Sequence, residues 1–292
     1  MSLRVGLMLL AVFAGSLTGC RPEDAPADEA PAGSSGHTVV SGETNRTFEL
    51  FRPKSLPEAA PLVVMLHGGF GSGTQAQQAY GWDELAEREH FVVVYPDGLD
   101  RAWAVGGGCC GNPGRTGVDD VAFIKEVVSR VKQLVPIDST RVYATGMSNG
   151  GIFAYRLACD TKLFAAIGPV AATLLGPCPT PAPVSVLHIH GAADANVRMD
   201  GRVGEGVAKI DGPSVSEVLA IWHKANECAA PTETTTSPLT TTVAACRDGR
   251  SVKLITIAGA GHQWPGSGRK SAVPLDATRE LWNFFAAYPK IA

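Results

Sequence analysis

Arg141-Val142-Tyr143-Ala144-Thr145-Gly146-Met147-Ser148-Asn149-Gly150-Gly151 is the stretch that decides the fold. An apolar run leads in, a helix-like stretch from Ile152 to Asp160 leads out, and a serine stands between two glycines at the junction. The pattern predicts a strand, a sharp turn and a helix, with the serine on the turn. A tight, strained turn needs small flanking residues, and Gly146 and Gly150 meet that need. The Ser148 hydroxyl then stands above the sheet at a helix N-terminus, whose free N–H groups suit developing negative charge.

Outward from this junction, apolar runs alternate with amphipathic stretches. That alternation predicts an α/β fold, a mostly parallel central sheet with helices on both faces. Strands are expected at 47–51, 62–66, 91–95, 142–145, 166–170, 185–189 and 252–257. Several are apolar throughout, as strands covered on both sides should be. Helices are expected to begin near Thr74, Asp119, Asn149, Ser214 and Asp276. In the second, Val121, Ile124, Val127, Val128, Val131 and Leu134 recur at helical spacing, with Asp119 and Asp120 placed as N-caps. No repeat or linker interrupts residues 37–292, which are read as one catalytic domain.

The chain has 292 residues, 45% hydrophobic and 18% charged, with a net charge of −3, so nothing in its electrostatics supports nucleic-acid binding. Arg4 precedes an apolar run at 5–17, too short for a bilayer span of about 20 residues but suited to a signal peptide over 1–19. Leu17-Thr18-Gly19-Cys20 resembles a bacterial lipobox, which implies cleavage before Cys20 and lipid attachment to its sulfur. An ordinary signal peptide cut nearby is the alternative; either takes the chain out of the cytoplasm. Residues 20–36 are rich in Pro, Ala, Asp, Glu, Ser and Gly and read as a disordered tether.

Beyond Cys20 six cysteines remain, and an even number in an oxidising compartment suggests disulfides. Cys228 and Cys246 bracket a threonine-rich segment that reads as a hairpin and are the first expected pair; Cys159 and Cys178 are the second. The adjacent Cys109 and Cys110 either bridge each other or split to other partners. No two cysteines show C-x-x-C spacing, so no zinc site is expected.

A serine hydroxyl needs a base, and the base needs an orienting acid. After Ser148 the histidines are His188, His190, His223 and His262. His262 follows an expected strand in a glycine-rich loop that lets the imidazole reach over the serine. His188 and His190 fall in or at the end of a strand and His223 on a helix, which suits packing. Asp194 lies just beyond the strand 185–189, where the acid belongs; Asp200 is the fallback, and Asp211 reads as a turn residue. For the oxyanion hole, one donor is the N–H of Asn149. The other comes from the loop His67-Gly68-Gly69-Phe70-Gly71-Ser72-Gly73, with Gly69 first and Phe70 next. That loop lacks the lysine of a P-loop, and His67 is read as its brace.

PLVVMLHGG (61–69), FVVVYPDG (91–98), GGGCCG (106–111), VDDVAFI (118–124), RVYATGMSNGG (141–151), LHIHG (187–191) and GHQWPG (261–266) occur in this order. Together they resemble the polyhydroxybutyrate depolymerase-like esterases, a group similar to the feruloyl and acetyl-xylan esterases of carbohydrate esterase family 1. The resemblance covers nearly all of 37–292 and implies an α/β-hydrolase fold with Ser148 as nucleophile, Asp194 as acid and His262 as base. One departure is alanine at 192–193, where relatives often place threonine or serine before the acid. Trp103, Trp264 and Phe70 are candidate substrate contacts; for Trp103 plugging a loop core is an equal alternative, and for Trp264 packing that fixes the His262 loop comes first, with substrate contact second.

The expectation is a secreted or lipid-anchored serine esterase, needing no metal or organic cofactor. Its partner would be an ester linked to polysaccharide or a polyester oligomer, with membrane contact only through the lipid. A non-catalytic polysaccharide-binding lipoprotein, an acyltransferase and a serine peptidase of the same fold are the alternatives.

Overall fold

The computed structural model describes residues 29–266 and 273–290. The expected signal peptide, Cys20 and most of the tether lie outside the described residues. Among the described residues ten strands form one sheet: β1 (Gly33–Ser41), β2 (Thr44–Arg52), β3 (Ala60–Leu66), β4 (Val92–Pro96), β5 (Ile137–Met147), β6 (Ala166–Val170), β7 (Ser185–Gly191), β8 (Thr232–Thr236), β9 (Leu239–Ala245) and β10 (Ser251–Ile257). The helices are α1 (Gly73–Tyr80), α2 (Trp82–Glu89), α3 (Gly111–Thr116), α4 (Asp120–Leu134), α5 (Asn149–Asp160), α6 (Val215–Ala225) and α7 (Ala277–Ala287).

The strand order is β1-β2-β4-β3-β5-β6-β7-β10-β9-β8. β4, β3, β5, β6, β7 and β10 run parallel, and an antiparallel hairpin closes each edge. β3, β4, β6 and β7 are buried along their whole length; β3, β4 and β6 therefore read as apolar runs, whereas β7 carries Ser185, His188 and His190 inside. Alternate side chains feed two cores. On one face they meet Phe123, Ile124 and Val127 of α4, Phe153 and Tyr155 of α5 and Trp222 of α6. On the other they meet Trp82 of α2 and Leu281, Trp282 and Phe285 of α7. Helices therefore cover both sides of the sheet.

The expected strands and helix starts recur, with three differences. β1 begins at Gly33, inside the stretch expected to be tether; small polar residues hide it, but nine residue pairs with β2 hold it. α2 was not expected, because Gly81, at φ 69°, ends α1 and starts a second short helix immediately. α3 reads GNPGRT, whose glycines and proline point to a turn. Asp119 is the N-cap of α4, accepting from the Ala122 N–H, whereas Asp120 turns into the protein.

The disulfides Cys228–Cys246 and Cys159–Cys178 are both present, and Cys109 bonds to Cys110. The first closes the base of the β8–β9 hairpin; the second ties the end of α5 to the loop after β6. Three bridges fit an oxidising, extracytoplasmic setting.

Candidate active site

Ser148 sits at the junction of β5 and α5 with φ 55° and ψ −122°, a strained backbone for a residue with a side chain. Two backbone hydrogen bonds hold it there: its N–H donates to Val170 O at 2.9 Å, and its carbonyl accepts from Ile152 N–H at 2.8 Å. The flanking glycines are demanded by contact. A Cβ on Gly146 would lie 2.5 Å from the Gly150 carbonyl carbon, and one on Gly150 would lie 2.3 Å from Leu66 O. The Ser148 side chain makes no capping bond to α5, which leaves its hydroxyl free of the helix.

Asp194 and His262 come from the ends of β7 and β10, neighbouring parallel strands with Gly191 opposite Ile257. Their loops are stitched together: Ala192 N–H donates to Ile257 O and Ala193 N–H to Ala260 O. Asp194 Oδ2 accepts from His262 Nδ1 at 2.8 Å. Its Oδ1 accepts the N–H groups of Asn196 and Val197 at 2.8 and 2.9 Å. Burial pushes the Asp194 carboxyl up, but the hydrogen bonds from His262 and Val197 outweigh it, and the group titrates below the usual carboxylate range. The Asp194 side chain is 0% exposed and that of His262 16%, so the acid is sealed while the imidazole opens to the mouth. With Nδ1–H committed to the carboxylate, Nε2 of a neutral His262 is left as an acceptor. β5 and β10 are three strands apart, roughly 14 Å, and the loops beyond their C-terminal ends project from one rim of the sheet.

The loop after β3 lies against the Ser148 turn. A Cβ on Gly68 would lie 3.7 Å from Ser148 Cβ, and one on Gly69 3.8 Å from Asn149 Cβ. Phe70 N–H is committed to Arg101 O at 2.8 Å, which removes the second-choice donor. Among the described residues, no partner takes the N–H of Gly69 or of Asn149. His67 braces this loop as expected: Nε2 accepts Gly98 N–H at 2.9 Å, so the proton is on Nδ1, which donates to Gly68 O at 2.8 Å. Burial lowers its pKa, which keeps it neutral.

The tryptophans lie elsewhere than at a substrate surface. Trp103 is wholly buried, stacks 5.0 Å from Phe153, and donates from Nε1 to His67 O at 2.9 Å. Trp264 is buried against Tyr80, with Nε1 donating to Thr278 Oγ1 at 3.0 Å. Each is a large apolar ring with one N–H satisfied inside: Trp264 packs as first expected, and for both residues the substrate-contact role is corrected to packing. Phe70 is the opposite case, 69% exposed beside the Gly69 amide. The fallback acid Asp200 pairs with Arg202 and Arg198 at the surface.

Two supports were not foreseen. The Asn149 side chain clasps the backbone of Trp103, accepting its N–H at 2.7 Å and donating to its carbonyl at 3.1 Å. Asp120, read as a cap, accepts Ala104 N–H and the Arg46 guanidinium, both at 2.8 Å, and thereby pins the same loop. The Asp-Asp pair was visible in the sequence, but its inward partner Arg46 is 74 residues away. Among the described residues no cluster of three or more His, Cys, Asp or Glu is arranged to hold a metal ion.

Residues 47–211 match the Esterase PHB depolymerase family. The chain belongs to that family. NocK of Nocardia uniformis subsp. tsuyamanensis, named as an esterase, is 30% identical over 78% of this chain and 73% of its own length. Feruloyl esterase B of Piromyces equi is 28% identical over 70% of this chain, which spans only 40% of that protein. In structure the chain is similar to an acetyl xylan esterase from Aspergillus awamori, with a TM-score of 0.65, 18% identity, and coverage of 87% of this chain and 99% of that one. That likeness establishes the fold, an α/β hydrolase, and family membership supports carboxylic ester hydrolysis.

Proposed function

We propose that the chain is an extracytoplasmic serine esterase with Ser148 as nucleophile, His262 as base and Asp194 as acid. The observation that carries this reading is the 2.8 Å bond from His262 Nδ1 to a buried Asp194, on the sheet edge where Ser148 occupies its positive-φ turn. His262 Nε2 takes the Ser148 proton as Oγ attacks the ester carbonyl, then returns it to the leaving alcohol. Asp194 holds the tautomer and stabilises the imidazolium. The N–H groups of Asn149 and Gly69 receive the oxyanion, each such donor being worth about 2.7–4 kcal/mol in the transition state. Water activated by His262 then releases the acid. The substrate class is feruloyl or acetyl esters on polysaccharide or short polyhydroxyalkanoates, with exposed Phe70 as an acyl or sugar contact at the mouth.

Hydrolysis of p-nitrophenyl acetate is the first expected result, followed by turnover of methyl ferulate, acetylated xylan or hydroxybutyrate oligomers. Binding of polysaccharide with no ester turnover would instead establish the non-catalytic alternative, and turnover of a peptide substrate alone the peptidase. The Leu17–Cys20 motif further supports a lipid anchor at Cys20. The wild-type protein should partition into the detergent phase and a Cys20→Ser variant should not; equal partitioning would rule the anchor out.

A further inference from the structure

Three side chains that the reaction does not touch form a buried chain ending beside the acid. Tyr155 of α5 lies 2.6 Å, through its hydroxyl, from His188 Nδ1. His188 Nε2 lies 2.8 Å from His190 Nδ1, and His190 Nε2 lies 2.8 Å from Val197 O. The same Nε2 is 3.5 Å from Asp194 Oδ2, the oxygen that receives His262. Both imidazoles are stacked, with centroids 5.1 Å apart, and both are buried.

The direction of the chain follows from its end. Val197 O and the Asp194 carboxylate only accept, so His190 Nε2 must carry a proton. His190 Nδ1 then accepts, His188 Nε2 must donate to it, and Tyr155 must donate to His188 Nδ1. Three donors point one way, toward the acid loop, and each polarises the next. The groups facing His190 are His188, Asp194 and His262; those facing His188 are Tyr155 and His190, with Trp222 packed on the Tyr155 ring. Burial lowers the pKa of both imidazoles, so they stay neutral where His262 must gain a charge.

We propose that His190, held in one tautomer by His188 and Tyr155, is a positioning residue for Asp194. Its N–H fastens Val197 O while Asp194 Oδ1 takes Val197 N–H, so the turn from 194 to 197 is gripped at both polar groups of one residue. This fixes the carboxylate against His262 Nδ1. The inference rests on the proposed roles of Asp194 and His262.

His190→Leu removes the donor; His190→Gln keeps an N–H near the position of Nε2. The leucine variant should lose about tenfold or more in kcat with KM unchanged, and the glutamine variant should recover most of the loss. The acidic limb of the leucine variant's kcat profile should move to lower pH, because a wandering carboxylate stabilises the imidazolium less. Tyr155→Phe, which deletes one hydroxyl far from the substrate, should move both readouts the same way if His190→Leu fails to fold. In a Ser148→Ala background, the far-downfield proton resonance of His262 Nδ1 should weaken in the leucine variant and return with glutamine. An unchanged resonance and kcat in folded His190→Leu and Tyr155→Phe overturn the proposal, as do equal losses in the leucine and glutamine variants. The resonance is read without turnover. A wild-type protein inactive on every ester would therefore count against the esterase reading, while the resonance would still decide the positioning role.

Discussion

Replacing Ser148 by alanine is expected to lower kcat for p-nitrophenyl acetate by about 10⁶-fold, with a smaller change in KM. The size follows from the role: without Oγ there is no acyl-enzyme, and only the oxyanion donors and substrate binding remain, a residual of roughly 10³–10⁴ over water. The variant should fold as wild type, because the side chain caps nothing and the backbone bonds to Val170 and Ile152 survive. Circular dichroism checks the fold and a progress curve checks the rate. An alanine variant that retained a tenth of the activity would place the nucleophile elsewhere.

Asp194→Asn should lower kcat by about 10⁴-fold. An asparagine can turn its amide N–H toward Nδ1, which forces the proton of His262 onto Nε2. The imidazole then offers the serine a donor where an acceptor is needed. The substitution also predicts a change in stability against pH. The wild-type carboxyl titrates below its ordinary value, after burial is outweighed by the His262 and Val197 bonds. A depressed group stabilises the native state above its unfolded pKa, and that stability is lost as pH falls through the folded pKa. Urea unfolding across the acidic range should therefore show a shallower loss of stability for Asp194→Asn than for wild type. Parallel curves would mean that the carboxylate's bonds contribute nothing.

The parallel sheet was legible because both faces are covered, so β3, β4 and β6 had to be apolar throughout. The Ser148 turn was legible for a different reason: backbone-on-backbone contact excludes every side chain at 146 and 150. Elements held by pairing or local bonding were not. β1 has the composition of a linker and exists because β2 offers it a ladder. α3 contains residues that disfavour helix and sits beside the Cys109–Cys110 bridge. At the candidate site, the placement of Asp194 and His262 on loops at the ends of neighbouring strands was legible. Trp103 and Trp264 were ambiguous, because a tryptophan near a cleft has the same sequence signature whether it faces in or out; burial decides for packing. The Asn149 clasp, Asp120–Arg46 and the Tyr155–His188 contact escaped detection because each depends on a partner from another element.

Along the seam where Gly150 meets Leu66 and His67, main chain lies directly on main chain. Dimensions set by peptide geometry do not change when surrounding side chains do. A lineage can thus redecorate the rim around Phe70 while the Ser148 hydroxyl and the proposed donor amides of Gly69 and Asn149 keep their mutual spacing. Selectivity and chemical competence are separable in such a scaffold, and adaptation to a different ester should be sought in the loops, not in the seam.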